Sequence, residues 1–112
     1  MALTIKAPYG ASNTITLLAT GTSAITITNQ ETYISSAVTA TGNCTINLTI
    51  DAQVTAGARL YLQVTGTGTE TITFGTGIVA PTVTNAAAKT WTQGFWYDGT
   101  RFLPMGAKIQ IN

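Results

Sequence analysis

The sequence contains no histidine and a single cysteine, Cys44, and these shortages remove most of the common catalytic and metal-binding chemistry. Without histidine, neither a Ser-His-Asp nor a Cys-His triad can form, and the commonest general base is missing. One thiol cannot supply an ordinary zinc site, and it cannot form a disulfide within the chain. We therefore expect a protein with no metal, no cofactor and no enzymatic activity.

Charged residues are also scarce, at 8% of the chain, against roughly 25% in ordinary soluble domains. The formal net charge is +1, so no basic field for nucleic acid is expected. Threonine, asparagine and glycine interrupt every apolar run, which argues against a membrane span. The N-terminal residues Met1–Lys6 lack the pattern of a secretory signal, so synthesis in a cytoplasm is expected.

Threonine is abundant, with 24 residues, and the chain also contains 11 isoleucines. Such β-branched side chains favour extended backbone. Many short segments alternate apolar and polar residues and are separated by glycine turns. The sequence therefore predicts an all-β fold: a small antiparallel sandwich or barrel, jelly-roll-like or Greek-key, at residues 13–112. Residues 1–12, with Pro8 and Gly10, are interpreted as an extended N-terminal arm.

The clearest strands fix a predicted core. Cys44 alternates with Ile46, Leu48 and Ile50, which favours a small buried cysteine over a reactive thiol. In the next strand Leu60, Leu62 and Val64 point inward, and after a Gly66–Gly68 turn Ile72 and Phe74 do so.

The segment 91–105 holds five of the nine aromatic residues, around Asp98-Gly99. An Asp-Gly pair between β-prone runs predicts a hairpin with a type I′ turn. In that register Phe95 faces Phe102, and the core side carries Phe95, Tyr97, Thr100 and Phe102. Trp96 faces Arg101 on the outer side as an aromatic–cation pair.

Four carboxylates are present, and each has a role simpler than catalysis. Glu31 and Asp51 are expected in loops, Glu70 follows a glycine turn, and Asp98 is expected in the hairpin turn. A glycosidase-type pair could be drawn from them in principle, but no feature of the sequence selects one.

Recurrent Thr-x-Thr pairs raise the possibility of a threonine ladder that binds ice. Such a surface requires a repeat of constant length that stacks the pairs in register. The intervals here are irregular, so the favoured interpretation is that threonine occupies solvent-facing strand positions.

Scarce charge has a further consequence for assembly. Free β-proteins protect their edge strands with charged residues or proline, and the strands at 43–50 and 69–74 carry only Glu70. We infer that identical subunits or a larger assembly cover much of the surface. Trp96 and Arg101 are the candidate contact residues; a surface cation–π pair without a partner is the alternative. Trp91 and Tyr33 are further candidates and, with Trp96, could serve as sugar platforms.

Three segments, 54–62, 71–77 and 89–102, resemble in that order small β-modules of tailed-bacteriophage virion proteins. Such modules occur in head decoration proteins, head fibres and tail-fibre domains. The ending Tyr97-Asp98-Gly99-Thr100-Arg101-Phe102 carries the resemblance best, and the likeness covers about residues 33–106.

The resemblance implies a structural virion protein, most specifically a capsid decoration protein on the outside of the head. Its expected partners are the major capsid protein, other virion proteins and further copies of itself, as a homotrimer or similar small oligomer. A fibre module that binds a receptor or glycan is the alternative.

Overall fold

The computed structural model describes residues 12–35 and 40–111, which form ten β-strands and no helix. The all-β prediction is confirmed. The arm expected at residues 1–12 lies outside the described residues, apart from Ser12, which begins the first strand. The strands are β1 Ser12–Thr16, β2 Gly21–Ile27, β3 Glu31–Ser35, β4 Cys44–Ile50, β5 Arg59–Thr65, β6 Thr71–Phe74, β7 Val83–Thr84, β8 Thr90–Tyr97, β9 Phe102–Pro104 and β10 Ile109–Gln110.

The strands form two sheets that share one hydrophobic core. Sheet A has the order β1-β3-β5-β8-β10, with β9 also paired to β8, and sheet B has the order β2-β4-β6-β7. The first six strands alternate between the sheets along the chain. The backbone therefore winds as three stacked coils, each contributing one strand to either sheet, as in a small β-solenoid.

The antiparallel arrangement predicted for the domain is wrong for strands β1–β6. Sheet A pairs β1 with β3 and β3 with β5 in parallel, and sheet B pairs β2 with β4 and β4 with β6 in parallel. Jelly rolls and Greek keys consist of antiparallel pairs, so β1–β6 follow neither order. Antiparallel pairing is confined to the C-terminal strands β7–β10 and their neighbours.

The core consists of the inward side chains of both sheets, and most of the predicted set is confirmed. Phe74 of sheet B and Phe95 of sheet A have ring centroids 5.4 Å apart, which joins the two layers. Ile50 and Phe74 are only partly buried. Fully or nearly fully buried are Cys44, Ile46, Leu48, Leu60, Leu62, Val64 and Ile72.

The predicted hairpin exists, but its register differs from the expected one. Tyr97 pairs with Phe102 and Trp96 with Leu103, which leaves a four-residue loop, Asp98–Arg101. The Asp98 Oδ1 atom accepts the backbone N–H of Thr100 at 2.8 Å and of Arg101 at 2.9 Å, and this side-chain turn closes the longer loop. Within the loop Asp98–Arg101 only Gly99 has a positive φ, of 104°, whereas a type I′ turn needs two such residues.

The register slip preserves the faces of the hairpin because it amounts to two residues. Phe95, Tyr97 and Phe102 are buried as predicted, and Trp96 points outward. Thr100, predicted on the core side, is exposed because the longer loop includes it. The predicted pairing of Trp96 with Arg101 is wrong.

Candidate binding face

The outward side chains of sheet A form the most distinctive surface of the molecule, here called face A. One row crosses four strands as Glu31, Arg59, Trp96 and Leu103, which occupy directly paired positions. The neighbouring row runs Tyr33, Tyr61 and Gly94. Directly paired side chains on a sheet lie within contact range of each other. Face A therefore combines three aromatic side chains with one cation and one carboxylate.

Face A also carries most of the exposed large hydrophobic side chains of the described residues. Six large hydrophobic side chains are exposed among the described residues, and four of them lie at the β8–β10 end of sheet A: Trp96 at 41%, Met105 at 51%, Ile109 at 64% and Ile111 at 54%. Trp96 is an outward residue of β8 itself. The other three are paired to positions on the outward side of that strand: Met105 N–H donates to the Gly94 carbonyl, Ile109 pairs with Thr92, and Ile111 N–H donates to the Thr90 carbonyl. An apolar cluster of this kind marks an interaction site more often than a free surface.

Gly94 shapes the centre of this cluster. A Cβ atom at this position would lie 2.7 Å from Met105 Cε, so the absence of a side chain lets Met105 cross over the strand. Beside it is a shallow pocket of about 280 Å³ whose lining includes Tyr61, Gly94, Met105 and Ile109. This pocket is large enough for a side chain of a partner molecule.

The other predicted contact residues have different positions. Tyr33 is half-buried on face A, and its hydroxyl donates to Gln63 Oε1 at 3.2 Å. Arg101 is exposed in the hairpin loop, where its backbone N–H is bound by Asp98. The structure thus places Tyr33 and Trp96 on one face and leaves Arg101 at the end of the hairpin.

Trp91 does not contribute to this face, because its side chain is a core element. It is 2% exposed, and its indole Nε1–H donates to Asn85 Oδ1 at 2.8 Å. The Asn85 amide in turn donates to Glu70 Oε1 at 3.2 Å. Trp91 therefore cannot act as an exposed sugar platform in this conformation, which corrects its assignment as a surface candidate.

Glu70 completes this polar network. Its carboxylate accepts the Thr67 N–H at 3.1 Å and the Thr67 hydroxyl at 2.9 Å as well as the Asn85 amide. Partial burial acts to raise the pKa of Glu70, but the hydrogen bonds from Asn85 and Thr67 outweigh it and hold the pKa below its ordinary value. Glu70 therefore has a structural role as an ionised acceptor.

Asp51, Asp98 and Cys44 also have structural partners. Asp51 Oδ1 accepts the Gln53 N–H at 3.0 Å, and the N–H groups of Arg101 and Thr100 lower the pKa of Asp98. Burial raises the pKa of the Cys44 thiol, with a smaller contribution from Glu70, and this disfavours the nucleophilic thiolate.

Among residues 12–35 and 40–111, no group of three or more His, Cys, Asp or Glu could hold a metal ion. The described part of the chain has no helix long and apolar enough to span a membrane.

Sheet B presents a contrasting outer face, here called face B. Its strands place Thr22, Thr45 and Thr73 in register, and Thr26 beside Thr49. The coils differ in length, yet the threonines align because the links between strands absorb the difference. The rows are short, and Ala24 and Asn47 separate them.

Sequence reasoning missed Arg59, Tyr61, Met105 and Ile109 as members of face A. The outward direction of Tyr61 could be read from its inward neighbours Leu60 and Leu62. The contribution of the C-terminal strand could not, because it depends on which strand β10 joins.

Comparison with protein-family models, with curated proteins and with solved structures finds no match to this chain.

Proposed function

We propose that the protein is a structural virion component, most specifically a capsid decoration protein that binds the outside of the head through face A. The observation that carries this proposal is the cluster of exposed apolar side chains around Trp96 and Met105, on a chain with very little charge. The likeness of segments 54–62, 71–77 and 89–102 to phage virion modules supports the capsid as the partner.

Face A has the make-up of a protein-binding surface. Tryptophan, tyrosine, methionine and arginine are the residue types enriched at interfaces, and lysine is depleted there. Trp96, Tyr61, Met105 and Arg59 supply this set within one surface. Glu31 and Arg59 place polar groups beside the aromatic cluster, as a polar rim does around the apolar centre of an interface.

The benefit to the particle follows from mass action. A protein that binds the assembled shell and not its separated subunits stabilises the shell by an amount set by its concentration relative to Kd. This role needs no catalytic group. It needs a stable scaffold and a rigid docking face, and a sheet face meets the second requirement better than a loop.

The test is saturable binding to particles assembled without this protein. We expect occupancy that saturates at a fixed number of copies per particle. Trp96→Ala should weaken binding by about tenfold or more, as truncation of a central aromatic residue does at interfaces. Thr73→Lys, a substitution at an exposed position of face B, is the matched control and should bind as the unmodified protein does. Absence of saturable occupancy would refute the decoration role.

A second candidate function is a fibre module that binds a receptor or glycan. The observation that favours it is the adjacency of three aromatic side chains, Tyr33, Tyr61 and Trp96, on one face. The polar side chains of Glu31 and Gln63 lie beside them. Sugar-binding sites combine aromatic stacking with hydrogen bonds in this way. A glycan array separates the two functions. Glycan binding that Tyr61→Ala abolishes, together with no affinity for particles, would favour the fibre module.

A further inference from the structure

The stack of coils ends differently on its two sides. At the C-terminal side, the antiparallel strands β7, β8, β9 and β10 follow the last coil. At the other side, β1 and β2 are the outermost strands of the two sheets, and within the described residues neither pairs with a strand beyond it. Repeat architectures require a polar cap at such an end to remain soluble.

The free edge of β2 lacks the usual protection. The strand is seven residues long, Gly21–Ile27, and contains no charged residue and no proline. Long, uncharged edges are templates for pairing with another strand. The end of the stack beside β2 also exposes Leu18, at 53%. Leu18 lines a groove of about 290 Å³ together with Ile15, Ala24 and Ile25.

The direction of the backbone groups of β2 can be assigned. Gly21 N–H donates to Asn43, and the Ile27 carbonyl accepts from Asp51, so the odd-numbered residues bond towards the β4 side. Backbone groups of successive residues in a strand point to opposite edges. The N–H and C=O groups of Thr22, Ala24 and Thr26 therefore face the free edge.

We propose that β2 of one chain pairs antiparallel with β2 of a second copy, about a two-fold axis at Ala24. In this register Ala24 faces its own equivalent, and Thr22 faces Thr26 of the second copy. Thr22, Ala24 and Thr26 each donate and accept a main-chain hydrogen bond across the interface. The outward side chains brought together are threonine and alanine, so no like charges meet. Leu18 from each chain lies beside the junction and is covered by it.

A two-fold contact of this kind is isologous: the same patch serves on both chains and the contact closes on itself. It predicts an even number of chains, in place of the trimer expected from the resemblance. The inference concerns self-association alone, and it holds or fails independently of particle binding.

Sedimentation velocity over a wide concentration range, with mass determination by light scattering, tests the proposal. The unmodified protein should form an oligomer with an even number of chains. Ala24→Pro should halve the mass. It removes an N–H that faces the free edge and leaves the β2–β4 hydrogen bonds intact, so circular dichroism should be unchanged.

A matched pair of charge substitutions separates the edge from the face. Thr26 and Thr49 are directly paired and both exposed, but only Thr26 lies on the edge strand. Thr26→Lys should dissociate the oligomer, and Thr49→Lys should leave its mass unchanged.

Hydrogen exchange identifies the partner of the edge. Slow exchange at Ala24 and Thr26 that becomes fast in Thr26→Lys supports pairing between copies. A monomer at all concentrations would overturn the proposal. Slow exchange at Ala24 in such a monomer would assign the edge to another segment of the same chain.

Discussion

Trp91 Nε1 and Asn85 Oδ1 lie 2.8 Å apart in the buried interior. This hydrogen bond satisfies the indole N–H of a tryptophan whose side chain packs in the core. Asn85 is only 3% exposed, so water has little access to the site in place of the indole donor. Removal of this bond should therefore lower the free energy of unfolding by more than removal of an exposed hydrogen bond would.

Trp91→Phe should lower the free energy of unfolding by about 1–3 kcal/mol, since it leaves a buried acceptor unpaired. Denaturant unfolding at neutral pH measures the change. Trp96→Phe is the matched control at the exposed tryptophan and should change stability by less than about 0.5 kcal/mol. Equal effects of the two substitutions would contradict the assignment of Trp91 to the core.

Glu70 predicts a dependence of stability on acid pH. Its pKa is lower in the folded protein than its ordinary value of 4.5, because hydrogen bonds from Asn85 and Thr67 outweigh partial burial. The stability that Glu70 contributes is therefore fully present above pH 4.5 and is lost as the pH falls through the folded pKa. Glu70→Gln should flatten the decline in unfolding free energy below pH 4.5. Parallel pH profiles for the variant and the unmodified protein would show that the carboxylate is not held in this way.

Gly77 occupies a backbone conformation that other residues rarely adopt. Its φ is 79°, and a Cβ atom would lie 2.8 Å from the Leu48 carbonyl oxygen, which is fixed in β4. Gly77→Ala should destabilise the fold by about 1–3 kcal/mol. Thermal unfolding of both variants measures the change. Gly106→Ala is the control and should leave the stability nearly unchanged, because an added Cβ there meets no atom within 4 Å. If Gly77→Ala left the stability unchanged, the conformation described here for the link between β6 and β7 would be wrong.

Gly94 offers a separation of binding from stability. An added Cβ would meet the mobile end of Met105 and not backbone, so Gly94→Val should displace Met105 at little cost in stability. The added bulk should fill the pocket beside Tyr61 and weaken particle binding. Affinity and melting temperature measured on the same preparation test this prediction. Unchanged affinity with Met105 displaced would remove the pocket from the binding site.

Strand positions and their inward residues could be predicted from the sequence, but the way the strands connect could not. Leu60, Leu62 and Val64 alternate with polar neighbours because only one face of sheet A is buried, and this pattern is the same in parallel and antiparallel pairs. Parallel strands are usually recognised by continuous apolar runs, which arise when both faces are covered. The open faces of both sheets remove that signal here.

The candidate site could be predicted only in part, for a related reason. Trp96 follows from alternation within its own hairpin, and the outward Tyr33 from its neighbour Ile34. Their position on one face with Tyr61 and Arg59 depends on the β3-β5-β8 order, which joins distant parts of the chain. The burial of Trp91 depends on Asn85, in a loop that has no periodic pattern.

The most direct measurement of the central claim is electron cryo-microscopy of particles incubated with an excess of the protein after assembly without it. The proposal predicts symmetric density outside the shell, with face A against the capsid surface and Trp96 within the contact. Bare particles at saturating protein, or bound copies with face A turned to solvent, would contradict it.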